Sequence, residues 1–298
     1  MSDSGGGFKG IGSVSSSDVC EDLLSVAEGG LPKLIYHDDL DGICSAAIWL
    51  ATHPQVEYIC ICASYDSPPV LLDGDTVVML DFSVSEIPMT VNLVWIDHHK
   101  TVKDRMLAMR KMNSEVVFAS AGEAACVATW KYCYPSQPVP TAVQLLSDYD
   151  VWNLGDRVVP FQYGMKDVGL HDPIWERLFG EFAGDTIEGI CSIGTTRLRW
   201  NDVLIARFIV NGAYHARWCG LECGFLNTPM TGSRSLESYY SDHGLELMVI
   251  YYWAKDRWSV HLYSTFDLVD CASIAISYGG GGHKRAAGFQ CSHLPWVL

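Results

Sequence analysis

Four short stretches of this chain gather carboxylates and imidazoles: HDDLD (37–41), LDFS (80–83), IDHHK (96–100) and SDYDVW (147–152). Carboxylates this close repel one another unless a proton or a cation lies between them. Pooled, the stretches offer His37, Asp39, Asp41, Asp81, His98 and one of Asp148 or Asp150. That is a nitrogen-and-oxygen donor set with no thiolate. It suits Mn2+ or Mg2+, with Co2+ or Zn2+ as alternatives. It is large enough for two ions about 3.5–4 Å apart with a carboxylate bridging them, an arrangement that activates water for hydrolysis.

Each stretch alone has a plainer reading. An Asp at the end of a strand commonly caps a helix or makes a turn, and a pair of histidines commonly lies on the surface or in a core. Within HDDLD the residues His37, Asp39 and Asp41 alternate, whereas Asp38 falls off that alternation and is expected to hold no ion. Gly42 is expected to let the chain leave the acidic loop and start a helix. A fifth stretch, GGGGHKRAAGF, has glycines 279–282 that let backbone N–H groups approach an anion. His283, Lys284 and Arg285 then add donors, and the small residues after them are expected to permit tight helix packing.

These residues need elements to hold them. KLIY, VEYICICA, TVVMLDFS and NLVWIDHHK read as strands; ICSAAIWLAT and GEAACVATWKYC read as helices. Strands alternating with helices imply a parallel sheet covered on both faces, and such sheets bind ligands beyond the carboxyl ends of their strands. TAVQLLSDYDVWN reads as helix or strand. DPIWERLFGEF and NDVLIARFIVNGAYHARW read as helical, and strands return from about 218 with CGLECGFLN, LELMVIYYWAK and RWSVHLYS. The fold class is therefore α/β: a parallel-sheet N-terminal domain over 18–165, a helical linker over 166–205 and a smaller α/β domain over 206–298. Residues 1–17, rich in Gly and Ser, are expected to be a disordered tail, followed by a short helix from Asp18.

Composition narrows the function. The 298 residues suit about two domains. Acidic residues outnumber basic ones 35 to 20, for a net charge of −15. That argues against a long duplex nucleic acid as partner, since such binding needs many Lys and Arg on phosphates. The 11 cysteines are scattered and form no C-x-x-C pair, which predicts free thiols in a reducing compartment. No apolar run reaches the roughly 18 residues of a membrane span, and the N-terminus carries no signal-like apolar stretch. A cytoplasmic location is expected.

In that order, HDDLDG, LDFS, IDHHK and SDYDVW resemble the four motifs of the DHH phosphoesterase superfamily. GGGGHKRAAGF resembles the Gly-Gly-Gly-His motif of the DHH-associated substrate-binding domain. The resemblance covers about residues 31–298 and is nearest to the short-oligonucleotide phosphodiesterases of nanoRNase type. It implies that His37, Asp39 and Asp81 hold one divalent ion, and that Asp41, Asp81, His98 and a fourth-motif Asp hold a second. Asp150 is favoured over Asp148 because it heads DVW. Asp97 would orient a neighbouring histidine, and His99 would lie near the substrate phosphate, so that Asp97, His98 and His99 form the catalytic group. His99, Gly280, Gly281, Gly282, His283, Lys284 and Arg285 would bind substrate. The implied cofactors are two divalent ions, Mn2+ first, with Mg2+ or Co2+ as alternatives.

The implied activity is hydrolysis of short single-stranded RNA or DNA, or of dinucleotides such as pApA, to nucleoside 5′-monophosphates. The implied partners include no membrane and no long duplex; a homodimer is admitted. One departure stands out. Where the family often has Arg before the Ser of the preceding strand, this chain has Tyr263 before Ser264, which would redirect one substrate contact. The alternatives are a phosphatase on 3′-phosphoadenosine 5′-phosphate and a phosphodiesterase for cyclic or linear dinucleotide messengers. A binding protein that has lost catalysis is a further rival, but every expected ligand position is filled.

Overall fold

A computed structural model describes residues 30–65, 67–109, 114–180, 182–229, 239–240, 243–264 and 268–296. The expected tail and the helix from Asp18 lie outside the described residues. The chain divides into two compact units, Met1–Arg197 and Leu198–Leu298.

The first unit is built on five parallel strands: β1 (Lys33–His37), β2 (Ile59–Ala63), β3 (Thr76–Leu80), β4 (Asn92–Asp97) and β5 (Glu115–Phe118), in the order β2-β1-β3-β4-β5. Its helices are α1 (Leu40–Thr52), α2 (Lys103–Met109), α3 (Ala125–Cys133), α4 (Thr141–Asp150), α5 (Val158–Met165), α6 (Ile174–Phe179) and α7 (Ala183–Gly212). The helix α7 runs through the division between the units.

The strands read as unbroken apolar runs because both faces of the sheet are covered. Leu34, Tyr36, Val78, Leu80, Val94 and Ile96 enter one core with α1, α3 and α4. Their chain neighbours Ile35, Val77, Met79, Leu93 and Trp95 enter the other, as the two-residue period of a strand requires. The register pairs Tyr36 with Leu80 and Leu80 with Ile96. One step further on, His37, Asp81 and Asp97 therefore stand level at the carboxyl ends of three adjacent strands.

Three elements of this unit are not foreseen from sequence. β5 is only four residues long, α2 follows a single 3-10 turn, and α5 carries Pro160. A proline in the first turn of a helix is tolerated because the N–H it lacks would have no intrahelical partner.

The second unit is a six-stranded sheet in the order β10-β11-β9-β8-β7-β6. Its strands are β6 (Tyr214–Trp218), β7 (Leu221–Asn227), β8 (Leu247–Ala254), β9 (Arg257–Tyr263), β10 (Gly281–His283) and β11 (Ala286–Cys291). Neighbours are antiparallel except β7 and β8. The helix α8 (Cys271–Ser277) covers one face through Cys271 and Ala275.

Two expectations need correction here. YHARW is strand β6, not the end of a helix: α7 stops at Gly212, a residue suited to ending helices. GGHKRAAG is a hairpin, β10 and β11 joined through Lys284 and Arg285, and among the described residues no helix follows the glycines. A Cβ at Gly280 would lie 2.1 Å from Gly288 O, and one at Gly282, where φ is +135°, would lie 2.6 Å from Ala287 Cα. These glycines let two strands meet closely.

Candidate metal centre

Three strand ends, the start of α1 and the end of α4 carry the acidic and imidazole side chains. β1 ends in His37, whose Nδ1 lies 2.8 Å from Asp39 Oδ2 and 3.5 Å from Asp81 Oδ2. Asp39 is the N-cap of α1, and its Oδ1 accepts the Gly42 N–H at 2.9 Å. One oxygen thus starts the helix while the other faces His37. The side chain of Asp38 is 53% exposed, with Oδ1 3.6 Å from His37 Nε2. Gly42 has a different reason from the one expected. It already lies within α1, and a Cβ there would fall 2.4 Å from His37 O. Only a glycine lets α1 pass this close to β1.

Asp41 sits in the first turn of α1 and reaches across to the start of α3. Its Oδ2 accepts Ala125 N–H at 2.9 Å and its Oδ1 accepts Cys126 N–H at 2.8 Å. A carboxylate at a helix N-terminus satisfies otherwise orphaned donors and favours the helix dipole. Oδ2 also lies 3.8 Å from His98 Nε2. Spacing carries no sign of this second duty, because it depends on two segments more than eighty residues apart.

Asp81 follows β3 with φ at +54°, a region that side-chain-bearing residues rarely adopt. It is 1% exposed, and neither carboxylate oxygen accepts a hydrogen bond. Burying such a group without a well-aligned hydrogen bond is costly. Its Oδ1 lies 3.3 Å from His98 Nε2 and 3.6 Å from His99 Nδ1. His98 Nε2 lies 3.2 Å from Asp150 Oδ2 at the end of α4. Asp148 is turned elsewhere, its Oδ1 accepting from Gln144 Nε2 at 2.9 Å and Asn153 Nδ2 at 3.1 Å.

Asp97 is fully buried. Its Oδ1 accepts the His98 and His99 backbone N–H groups at 2.7 and 2.9 Å and contacts His99 Nδ1 at 2.8 Å. It thereby fixes both the loop and the His99 ring. Beside His37, a ring that sequence reading passed over, Tyr65, stacks on buried Phe82 at 4.6 Å and lies 5.4 Å from the imidazole.

The electrostatics are those of a crowded acidic site. Burial, then Asp41 and Asp39, push Asp81 well above the carboxylate range. Burial and the Asp41 charge raise Asp150 to about 7. Burial alone would lower His37, but Asp39 and Asp81 outweigh it and raise the imidazole to about 11. Burial likewise opposes the charge on Asp39, yet His37 holds that carboxyl below its usual range.

The donors fit divalent cations. Three groups have ligand atoms within 4.8 Å of one another: His37, Asp39 and Asp81; Asp81, His98 and His99; and Asp41, His98 and Asp150. Asp81 belongs to two of them, and its donorless oxygens are what a bridging carboxylate would offer. His283, Lys284 and Arg285 lie in the other unit, on the β10–β11 hairpin. There the Lys284 and Arg285 carbonyls accept from Cys271 and Ser264 N–H at 2.9 and 3.1 Å.

No protein-family model matches the chain. An uncharacterized protein of Acanthamoeba polyphaga mimivirus is 24% identical over 241 residues, 74% of this chain, which spans about half (54%) of that relative's length. Among solved structures, a DHH domain from a member of the s1p family of ribosomal proteins superposes with a TM-score of 0.54 at 13% identity, covering 91% of this chain and 88% of its own. RecJ from Thermus thermophilus in complex with Mn2+ superposes with a TM-score of 0.50 at 13% identity, covering 90% of this chain and 51% of its own. The parallel sheet with its motif-bearing strand ends, and the second sheet that follows, give this chain the fold of the DHH-domain proteins.

Proposed function

We propose that this chain is a two-metal phosphodiesterase that hydrolyses short oligonucleotides, such as pApA, to nucleoside 5′-monophosphates. The observation that carries this reading is the convergence of three donor groups on Asp81 and His98 at the carboxyl ends of parallel strands. His37, Asp39 and Asp81 would hold one ion; Asp41, Asp81, His98 and Asp150 would hold the other. Mn2+ is the proposed occupant, supported by the mixed imidazole and carboxylate set and by the Mn2+ carried by the RecJ structure of like fold. When bound, two such ions supply Lewis acidity toward a phosphoryl oxygen and lower the pKa of water.

The chain's own residues do the rest. Asp97 takes His99 Nδ1 and leaves Nε2 for a phosphoryl oxygen, so the imidazole meets developing charge without reorganising. Asp41 and Asp39 are each fixed by helix N–H groups, which preorganises their second lone pairs. In the second unit, Gly280, Gly281 and Gly282 with His283, Lys284 and Arg285 are the proposed substrate-binding group. A net charge of −15 supports short substrates over long strands. A cytoplasmic setting belongs to the proposal and is supported by ten described cysteines with free thiols. Among the described residues no helix is long and apolar enough to cross a membrane.

The test is turnover of pApA with Mn2+, followed by product analysis. AMP should accumulate, EDTA should abolish it, and Asp97→Ala and His98→Ala should each lose most of it. Full activity in EDTA or in either variant defeats the reading.

A further inference from the structure

Four described residues other than glycine have φ in the left-handed region: Asp81, Trp152, Cys219 and Lys255. Cys219 lies in the turn between β6 and β7, and Lys255 in the turn between β8 and β9, where tight hairpins demand such angles. Asp81 lies in the candidate centre. Trp152, at +64°, has no hairpin to account for it.

It caps α4. Trp152 N–H donates to Tyr149 O at 3.2 Å and Asn153 N–H to Asp148 O at 2.8 Å, the two bonds of a helix end whose left-handed residue is ordinarily Gly. An indole there strains the backbone. The strain is held in place from outside: Asp148 Oδ1 accepts from both Gln144 and Asn153 side chains, clamping the turn onto the last turns of α4. The indole makes no specific pair in return. It is 44% exposed, and among the described residues it has no ring, hydrogen-bond or ion-pair partner through its side chain. Strain that no specific side-chain pairing accounts for points to function. The position does too: Trp152 Cα lies no more than about 7 Å from that of Asp150, two residues away along the chain.

Resting on the phosphodiesterase reading, we infer that Trp152 is the stacking platform for the nucleobase of the nucleotide whose phosphate lies at the Asp81–His98 centre, with Asp148 as the positioning residue that holds the strained turn. A base hangs one sugar from its phosphate. An exposed indole beside Asp150 offers it a flat face, tolerant of base identity because every base has one. This gives Asp148, which does not face His98, a role of its own.

Binding of AMP and of ribose 5-phosphate to the full chain in Mn2+ tests this, since the two share a 5′-phosphate and differ by the base. By calorimetry the wild type should prefer AMP by about tenfold or more, the worth of one base–aromatic stack. Trp152→Gly should bring the two affinities within about twofold through AMP alone, and Trp152→Phe should keep part of the preference. Because Gly is the residue this turn favours, Trp152→Gly should melt no lower than wild type. Asp148→Ala should weaken AMP binding while ribose 5-phosphate binding holds. Equal affinities in the wild type, a preference that survives in Trp152→Gly, or a lower melting temperature in that variant overturns the inference. The readout is binding alone. A retained AMP preference without pApA cleavage would therefore sink the phosphodiesterase reading and leave the base platform standing.

Discussion

Asp81 is the residue at which stability and function pull apart. Its carboxylate is buried, accepts no well-aligned hydrogen bond and faces Asp39 and Asp41. An amide would remove the repulsion, and Asn tolerates a positive φ. Asp81→Asn should therefore raise the melting temperature of the metal-free protein, erase its response to Mn2+, and cut pApA turnover by more than about 100-fold, beyond what outer-sphere changes usually do. Melts with and without Mn2+, read beside turnover, check all three. Gly42 predicts the opposite sign from intuition. Gly→Ala inside a helix ordinarily stabilises by about 1 kcal/mol. Here the new Cβ meets the His37 carbonyl, so Gly42→Ala should lower the melting temperature and weaken Mn2+ binding by displacing α1 from β1. Asp38→Asn should leave turnover within about twofold, because an exposed charge off the alternation is worth little.

At the scale of elements, α1 and α3 meet at Asp41. Its two oxygens take the first free N–H groups of α3, so the same carboxylate that faces His98 also anchors a helix. Asp41→Asn would turn an amide N–H toward those donors. It should cost about 1–2 kcal/mol, the scale of a lost cap, and lower the melting temperature even without metal. The contrast with Asp81→Asn, which should raise it, is measurable in one pair of chemical denaturation curves. The strand ends add a second constraint: since β1, β3 and β4 run parallel and in register, His37, Asp81 and Asp97 reach the same level with no loop needing to reach out.

For the whole molecule, a divalent ion held by the acidic cluster would act as a stabiliser. A ligand at 100 times its dissociation constant adds about 2.7 kcal/mol, which for a chain of this size is a rise of about 5 °C in melting temperature. Saturating Mn2+ should produce at least that rise, and EDTA should reverse it. The net charge of −15 should leave long duplex DNA unbound in gel-shift assays at about 0.15 M salt.

The order of the acidic and imidazole motifs, the parallel sheet and the two-part layout were legible in the sequence. Strands covered on both faces are written as continuous apolar runs, and each such run here empties into its motif. The short edge strand β5 and the proline-bearing α5 lacked such a pattern, and β6, mostly exposed, carried no alternation to mark it. Spacing could not tell Asp148 from Asp150. Both lie in the last turn of α4, and only the packing of that helix turns one toward His98 and the other toward Gln144 and Asn153. Nor could it show why Gly42 is glycine, why Asp41 must be a carboxylate for α3, or that Trp152 stands where glycine belongs. Each of those depends on a contact between distant segments or on a backbone angle, and these exist only once the chain has folded.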